Sequence, residues 1–358
     1  MVPAIGVVVD LSPSDPTACG WSVAPMIDRT DQHFRALVRI VAPRVRLYSE
    51  MAVATGSLHR LVRGEGPAQV AAQLAGTEPA AVVAAARVAA DRGFDEINLN
   101  CGCPGPAALA GGYGAAAMRS PEAVADVVAA LTSALALPVS VKCRISIHPE
   151  RDQDDQLAEL NAFVERVKAA GCRHFIVHAR AAHLHGLSPR ANRSVPPLSP
   201  HLVYAIADAH PSCRVEINGG VQTLAEGRAH RECSAVAAVM IGRAAYDDPL
   251  MLAGVDTPGR PRRAVLEETV EAMARYIDAQ RDHGVAPWAV IRHMLGLPRG
   301  LPGGKRARQR LGALCHDASA SGQAMAAAFR EPLSPDAPKT GTSSRPEASS
   351  RPRQSSQP

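Results

Sequence analysis

The strongest constraint on the fold is a repeated alternation of short apolar runs with longer, often alanine-rich segments. The intervening segments have helical spacing, as at residues 120–136 and 153–171. Strands that alternate with helices pair in parallel, and eight such units favour a closed α/β barrel, the (β/α)8 or TIM barrel, over an open doubly wound sheet. The eight apolar runs are residues 21–26, 45–48, 70–74, 97–100, 139–143, 175–178, 215–218 and 236–241.

The chain of 358 residues is long enough for such a barrel and a smaller appended domain. Residues 263–280 and 288–297 have helical spacing with no strand between them. The end of the chain is rich in proline, serine, threonine and basic residues, and it has too little apolar surface to offset its ordering entropy. We predict an N-terminal extension over 1–18, the barrel over 19–258, a small all-helical domain over 259–325 and a disordered tail over 326–358.

Composition and charge exclude several other classes of protein. The net charge is only +5, so a nucleic-acid partner must be met by a local basic patch and not by an overall field. No apolar stretch approaches the roughly 20 residues of a membrane span, and the N-terminus lacks the basic start of a signal peptide. We therefore expect a cytoplasmic protein that does not bind a membrane. We also expect it to be a monomer.

The active site of a (β/α)8 barrel forms at the C-terminal ends of its strands. Polar, glycine and proline residues gather at these positions in the present sequence, and we expect them to form the site. Strand by strand they are Ala24, Pro25 and Met26; Gln73; Asn100 and Cys103; Lys142; His178; Asn218, Gly219 and Gly220; and Gly242 and Arg243.

The last two strand ends have the residue types of a phosphate site. Barrels frequently bind phosphate with the loops after strands 7 and 8, where glycine lets backbone N–H groups approach the anion. Gly219-Gly220 and Gly242-Arg243 fit this pattern, with Arg243 as an additional cation. The alternative is that these are ordinary turn glycines, but their joint occurrence at the expected strands favours phosphate.

Lys142 and His178 each leave two interpretations open. Lys142 lies inside an apolar strand, and a buried lysine is costly unless it is paired. It is either satisfied by a structural carboxylate or placed against an electron-rich flavin edge. His178 is either a satisfied core histidine or, at a strand end beside the other groups, a functional one.

Residues 98–104 place a thiol just past a buried strand, on a tight turn of glycine and proline. Ordinary thiols titrate at about 8.5, so at neutral pH Cys103 is a candidate proton donor. Cys101 is expected to face the packing. The eight cysteines contain no C-x-x-C pair, so we expect no structural zinc and no other bound metal, although Cys101 and Cys103 leave a C-x-C metal or redox pair open.

These segments resemble the tRNA-dihydrouridine synthases, which are flavin enzymes that reduce a uridine in tRNA. The resemblance covers about residues 20–312, and residues 189–198 and 292–297 resemble the bacterial subgroup that acts on positions 20 and 20a of the D-loop. Its other segments are residues 21–28, 98–104, 141–144, 175–180, 186–189, 216–220 and 240–246.

The resemblance implies FMN as cofactor, NADPH as reductant and Cys103 as general acid, with Asn100 near the target base. It implies tRNA contacts by Arg190, Arg193, Lys305 and Arg308. Residues 290–310 carry six cations and no acid, which independently indicates a basic patch. The implied FMN contacts are Ala24, Pro25, Met26, Gln73, Lys142, His178, Asn218, Gly219, Gly220, Gly242 and Arg243.

Two alternatives stay open at this stage. The first is a barrel flavoenzyme that reduces a free pyrimidine, against which the basic patch argues. The second is a tRNA-binding protein whose reductase activity is weak or lost. It is kept open because residues 104–109 are apolar and proline-rich where the family usually has a polar and basic run.

Overall fold

The computed structural model describes residues 19–63 and 69–334, and its strands form one nine-stranded parallel sheet. Each of the eight predicted runs overlaps a strand, and the two-residue β3 is additional. The strands are β1 Trp21–Val23, β2 Leu47–Tyr48, β3 Ala52–Val53, β4 Val70–Ala75, β5 Glu96–Cys101, β6 Val139–Arg144, β7 His174–His178, β8 Arg214–Asn218 and β9 Ala238–Ile241.

The sheet closes on itself, which confirms the predicted (β/α)8 barrel. Its strand order is β1-β9-β8-β7-β6-β5-β4-β2, with β3 beside β4. The remaining gap is bridged by a parallel pairing of Ser22 with Arg46. There the Val23 N–H donates to the Arg46 carbonyl at 3.0 Å, and the Arg46 N–H donates to the Trp21 carbonyl at 3.1 Å.

Helices follow the strands as the sequence predicts. Several begin at a side-chain cap that satisfies free N–H groups: Asp31 caps α1, Asp152 caps α5 and Thr223 caps α7. The α-helices are α1 Gln32–Val41, α2 Pro79–Asp91, α3 Pro106–Ala110, α4 Pro121–Ala134, α5 Gln153–Ala169, α6 Pro200–Ala209, α7 Leu224–Glu232, α8 Arg243–Asp247, α9 Ala253–Asp256, α10 Arg262–Asp282, α11 Pro287–Ile291, α12 Gly304–Leu314 and α13 Gly322–Leu333. Short 3-10 helices occupy Leu58–Arg60, Gly114–Arg119, Ala191–Arg193, Pro249–Leu252 and Arg292–Gly296.

The helices α10–α13, here called the C-terminal helices, extend further than predicted. Helix α13 runs from Gly322 to Leu333, so the start of the disordered tail at residue 326 is wrong. The reason is that Met325 and Phe329, one helical turn apart, are both buried, and α13 packs against α10 and α12. The predictions for residues 1–18 and 335–358 lie outside the described residues. Among those described, no helix has the length and apolar character needed to cross a membrane.

An ionic cluster fills one layer of the barrel interior. His174 lies between two buried carboxylates, with its Nε2 3.1 Å from Glu216 Oε2 and its Nδ1 3.6 Å from Glu96 Oε1. Arg46 also pairs with Glu96, and the Ser22 hydroxyl donates to Glu216. Burial opposes charge on both carboxylates, yet hydrogen bonds from His174 hold the pKa of each below its usual value. Their stabilising effect is therefore lost only as the pH falls through these lowered pKa values.

Loss of the His174 ring between these carboxylates should destabilise the protein strongly. We expect His174→Leu to lower the free energy of unfolding by about 3–5 kcal/mol, because it leaves buried charge uncompensated. Denaturant unfolding followed by circular dichroism measures the change. His201→Leu, at an exposed position of α6, is the matched control and should change it by less than about 0.5 kcal/mol.

The charge-based explanation also predicts a partial rescue. Addition of Glu216→Gln to His174→Leu removes one of the uncompensated charges and should recover part of the lost stability. A double variant that is less stable than His174→Leu alone would show that packing, and not charge, sets the loss.

Candidate active site

The residues predicted at the strand ends surround one cavity of about 430 Å³ at the C-terminal mouth of the barrel. All of them line it except Gly220, which forms the turn beside it. The predicted members of the lining are Ala24, Pro25, Met26, Gln73, Asn100, Cys103, Lys142, His178, Asn218, Gly219, Gly242 and Arg243. The parallel strands therefore bring together side chains that are far apart in the sequence, at the edge where barrel enzymes hold their active sites.

Asn100 holds the turn that carries Cys103. Its side-chain oxygen accepts the N–H groups of Gly102 and Cys103, at 3.1 and 3.0 Å. Gly114 has a φ of +65°, and a Cβ there would collide with the Cys103 carbonyl oxygen. This glycine lets the following segment close over the turn. Cys101, by contrast, is buried in β5, and burial raises its pKa well above the usual value, as the packing interpretation predicts.

A chain of amide and hydroxyl groups links this turn to the ionic cluster inside the barrel. Asn100 Nδ2 donates to Gln73 Oε1 at 2.9 Å, and Gln73 Nε2 donates to Asn98 Oδ1 at 2.7 Å. Asn98 Nδ2 then donates to the Ser140 hydroxyl at 2.8 Å, and that hydroxyl donates to Glu96. Each group has its partner, so the chain fixes the orientation of Asn100 and through it the position of the thiol.

Lys142 stands in the cavity wall on β6. Its Nζ donates to Asn218 Oδ1 at 2.9 Å, while Asn218 Nδ2 donates to the Met240 carbonyl at 2.9 Å. No carboxylate among the described residues forms an ion pair with Lys142, so the structural carboxylate considered from the sequence is not found there. Burial, assisted by the nearby Arg144, lowers the pKa of Lys142 to about 8.

His178 has an unsatisfied nitrogen. Its Nδ1 is buried and has no hydrogen-bond partner within the part of the chain that the structure describes. Burial, together with the cations of Arg144 and Lys142, holds the pKa of His178 well below its usual value, so the ring is neutral. A Cβ on Gly219, whose φ is +112°, would come within 3.2 Å of His178 Nε2. An unpaired buried nitrogen beside a cavity points to a bound group as its partner.

Two arginines stand at the end of the cavity nearest β8 and β9. Arg243 Nη2 donates to the Arg193 carbonyl at 3.0 Å, and both side chains line the cavity. Burial lowers the pKa of Arg193, and repulsion from the Arg243 guanidinium lowers it further. An anion between them would relieve this repulsion, and Gly219, which lines the same cavity, offers a backbone N–H group to such an anion.

The cavity is also lined by a cation, Arg144, to which the sequence analysis gave no role. Arg144 lies two residues after Lys142 on the same face of β6, and this alternation was the signal for it. Its Nε donates to the Gly102 carbonyl at 3.1 Å and its Nη1 to the Asn192 carbonyl at 3.0 Å. Arg144 thereby ties the Cys103 turn to the loop after β7.

The four residues expected to contact tRNA fall into two groups. Arg193 lines the cavity, and Arg190 is exposed three residues before it in the same loop. Lys305 and Arg308 are exposed on α12 and do not line this cavity. Lys305 borders a separate groove of about 1130 Å³ among α10, α12 and α13. The structure thus places one pair at the barrel mouth and the other on the C-terminal helices.

The fold and the cavity define a (β/α)8-barrel enzyme whose site combines a thiol, several cations and a rim of glycine and arginine residues. The chain belongs to the dihydrouridine synthase family, whose model matches residues 22–332. It is 43% identical over 302 residues to the tRNA-dihydrouridine(20/20a) synthase of Xanthomonas campestris pv. campestris, a match that covers 82% of this chain and 88% of that protein. It is 39% identical over 303 residues to the protein of the same name from Shewanella oneidensis, covering 83% and 89% respectively.

A solved structure with a similar fold is 2-naphthoyl-CoA reductase in complex with 2-naphthoyl-CoA. Its TM-score is 0.53 at 13% identity, and the match covers 69% of this chain and 51% of that chain. At this identity the likeness concerns the barrel architecture alone.

Loss of the Asn100 side chain should loosen the Cys103 turn. Asn100→Ala frees the N–H groups of Gly102 and Cys103, so we expect alkylation of Cys103 by iodoacetamide to accelerate several-fold as the turn opens locally. Peptide mass spectrometry measures the rate, with the exposed Cys233 as an internal reference. Asn161→Ala, on the outer helix α5, is the control. An unchanged alkylation rate of Cys103 in Asn100→Ala would show that the turn is rigid without the Asn100 side chain.

Proposed function

We propose that this protein reduces the C5–C6 double bond of a uridine in the tRNA D-loop to 5,6-dihydrouridine, with FMN as cofactor and NADPH as reductant. The observation that carries the proposal is that the Cys103 thiol, on a turn held by hydrogen bonds, shares one cavity with a lysine, a neutral histidine and a rim of glycine and arginine residues. The names of the relatives support positions 20 and 20a as the target.

The cavity fits a flavin nucleotide in size and in chemistry. Its volume of about 430 Å³ lies in the usual range of about 300–1,000 Å³ for small-molecule sites. The unpaired Nδ1 of His178 and the Lys142 ammonium suit a polar, electron-rich ring system. We assign the phosphate to the rim of Gly219, Gly220, Gly242 and Arg243, and the ring to Ala24, Pro25, Met26, Gln73, Lys142, His178 and Asn218.

When bound, FMN supplies the hydride-transfer chemistry that the protein itself lacks. The fixed charge of Lys142 stabilises negative charge on a ring held beside it. The Gln73 amide keeps one orientation, because Asn98 and Asn100 bind its two ends. The protein thereby presents one arrangement of donors and acceptors to the cofactor.

Cys103 is the group placed to supply the proton. Reduction of the uracil double bond needs a hydride at C6 and a proton at C5, and a thiol positioned at the cavity wall is a suitable general acid. Asn100 and Arg144 hold the turn from two sides, through Gly102 and Cys103. A rigid mounting of the donor lowers the cost of reaching the reactive geometry.

The substrate must leave its stacked position to enter this cavity, because its ring is unreachable inside folded tRNA. Arg193 lines the cavity and Arg190 is exposed in the same loop, so we assign both to the RNA backbone around an extruded uridine. Lys305 and Arg308 are exposed on α12 and supply further cations for the RNA backbone. Such contacts to phosphate position the RNA without reading its sequence.

The role of Cys103 is tested by substitution. We expect Cys103→Ala to retain FMN and to lose tRNA reduction by at least about a hundredfold, the typical contribution of a general acid. Nucleoside mass spectrometry of tRNA, mapped by position in a strain that lacks the gene, measures restoration by each variant. Cys101→Ala is the matched control and should restore dihydrouridine as the wild type does.

The results of this test distinguish a wrong proton donor from a wrong substrate. Restoration by Cys103→Ala would show that another group donates the proton. Dihydrouridine at positions 20 and 20a that persists without the gene, together with a wild-type protein inactive on tRNA, would contradict the proposed function. Turnover of a free pyrimidine without tRNA would then favour a small-molecule reductase.

The lowered pKa of Lys142 predicts a pH dependence of cofactor binding. The ammonium form is present below about 8 and is lost above it, so FMN affinity should fall by roughly tenfold, or about 1.4 kcal/mol, between pH 7 and pH 9.5. Quenching of flavin fluorescence on titration with flavin-free protein measures the affinity. Lys142→Met should bind FMN more weakly at pH 7 and show a flat profile, whereas Lys168→Met on α5 should behave as the wild type. A pH dependence retained in Lys142→Met would assign it to another group.

A further inference from the structure

Exposed large apolar side chains are concentrated around the cavity mouth. Ile27 lines the cavity itself, and Val195 and Leu198 belong to the loop that carries Arg193. Val62 lies apart from these residues. Its neighbour Arg63 pairs with Asp95, which directly precedes β5 and therefore lies at the opposite end of the barrel. Among the described residues, the exposed large apolar side chains are Ile27, Val62, Val195, Leu198 and Trp288. An apolar cluster of this kind on a polar rim marks a binding surface.

Trp288 belongs to the C-terminal helices and is connected to this rim through Arg292. Its side chain is 52% exposed, although its neighbours Val290 and Ile291 in α11 are buried. The guanidinium of Arg292 lies 5.6 Å from the centre of the indole ring. Arg292 in turn donates to the Asp28 carbonyl at 2.8 Å and pairs with Asp31. One guanidinium therefore separates the indole from the loop that follows β1.

That loop is unusually constrained. Asp28 has a φ of +62° and is the one non-glycine residue with a positive φ in the ranges that the structure describes. Its N–H donates to Glu50 Oε1 at 2.6 Å, and Arg60 contacts both carboxylates. Strained backbone persists where surrounding contacts over-determine it, and such places cluster at binding sites. Its neighbours Ile27 and Arg29 line the cavity, so Trp288 is connected to the cavity rim through Arg292 and this loop.

We propose that Trp288 is a stacking platform for an unpaired nucleobase of the tRNA loop, next to the uridine in the cavity. This inference rests on the proposed function and adds a base-binding site outside the cavity. Single-stranded nucleotides are held by stacking on exposed aromatic rings. The ring is exposed, as stacking requires, and the Arg292 guanidinium contacts it, whereas the chain's other tryptophan, Trp21, is 5% exposed.

The charges around the platform favour RNA over a protein partner. Arg29, Arg193 and Arg243 line the adjacent cavity, and Arg190 is exposed in the loop across the mouth. A polyanion is attracted to such a rim, and an extruded uridine leaves its neighbouring bases unstacked. Arg292 is engaged with Asp31 and Asp28, so its contribution is to hold the indole in place.

The test compares tRNA binding by Trp288→Ala, Trp288→Phe and Val62→Ala, with flavin-bound protein and unmodified tRNA. Loss of one base–aromatic stack corresponds to about a 5- to 150-fold weaker Kd, and we expect this for Trp288→Ala. Trp288→Phe should stay within roughly threefold, because phenylalanine still stacks. Val62→Ala, at the other end of the barrel, should match the wild type.

Two further readouts distinguish stacking from a general disturbance. The slope of log Kd against log salt should be unchanged in Trp288→Ala, while Arg193→Ala should reduce it by about 1. A tRNA with a single abasic nucleotide at one D-loop position should bind the wild type more weakly but bind Trp288→Ala no worse than intact tRNA does. A wild-type Kd for Trp288→Ala, or equal penalties for every abasic tRNA in both proteins, would overturn the stacking site. A wild type that neither binds nor reduces tRNA would instead overturn the proposed function.

Discussion

Glu96 is the group on which both the closed barrel and the placement of the thiol depend. It accepts the Ser140 hydroxyl at the end of the amide chain that leads to Asn100, and it pairs with Arg46, whose backbone closes the barrel. A carboxylate buried in this way is costly unless its charge and hydrogen bonds are satisfied. Because its partners come from several strands, the charge is satisfied only when the barrel is closed and correctly registered.

This coupling explains why the cavity above is polar yet well ordered. The amide chain from Glu96 passes through Asn98 and Gln73 before it reaches Asn100. A Gln or Asn side chain in water samples many orientations, but one bound at both ends keeps a single orientation. The protein therefore fixes its donors and acceptors before any ligand arrives, and the electrostatic stabilisation that the site offers requires little reorganisation.

The sequence predicted the architecture and the membership of the cavity well, because both follow from local patterns. Alternation of apolar runs with helical segments locates the strands, and the carboxyl end of a parallel strand locates Lys142 and His178. Side-chain pairings across the fold do not follow from local patterns. Lys142 donates to Asn218, 76 positions further along the chain, and the spacing of residues in the sequence does not predict that hydrogen bond. Helix α13 was not predicted for a related reason: Met325 and Phe329 become buried only when the helix packs against α10 and α12.

The contact of Arg292 with Asp31 spans 261 positions. It is a second long-range polar contact, and it joins the barrel to the C-terminal helices. Asp31 caps α1 and also binds Arg292 and His293. Burial alone would raise its pKa, but hydrogen bonds from His293 and the helix N–H groups hold the pKa well below its usual range. Apolar packing is non-directional, whereas a carboxylate with several donors accepts one geometry. Directional contacts of this kind therefore set the position of Trp288 relative to the cavity, and a surface that must align with a folded RNA requires such a fixed position.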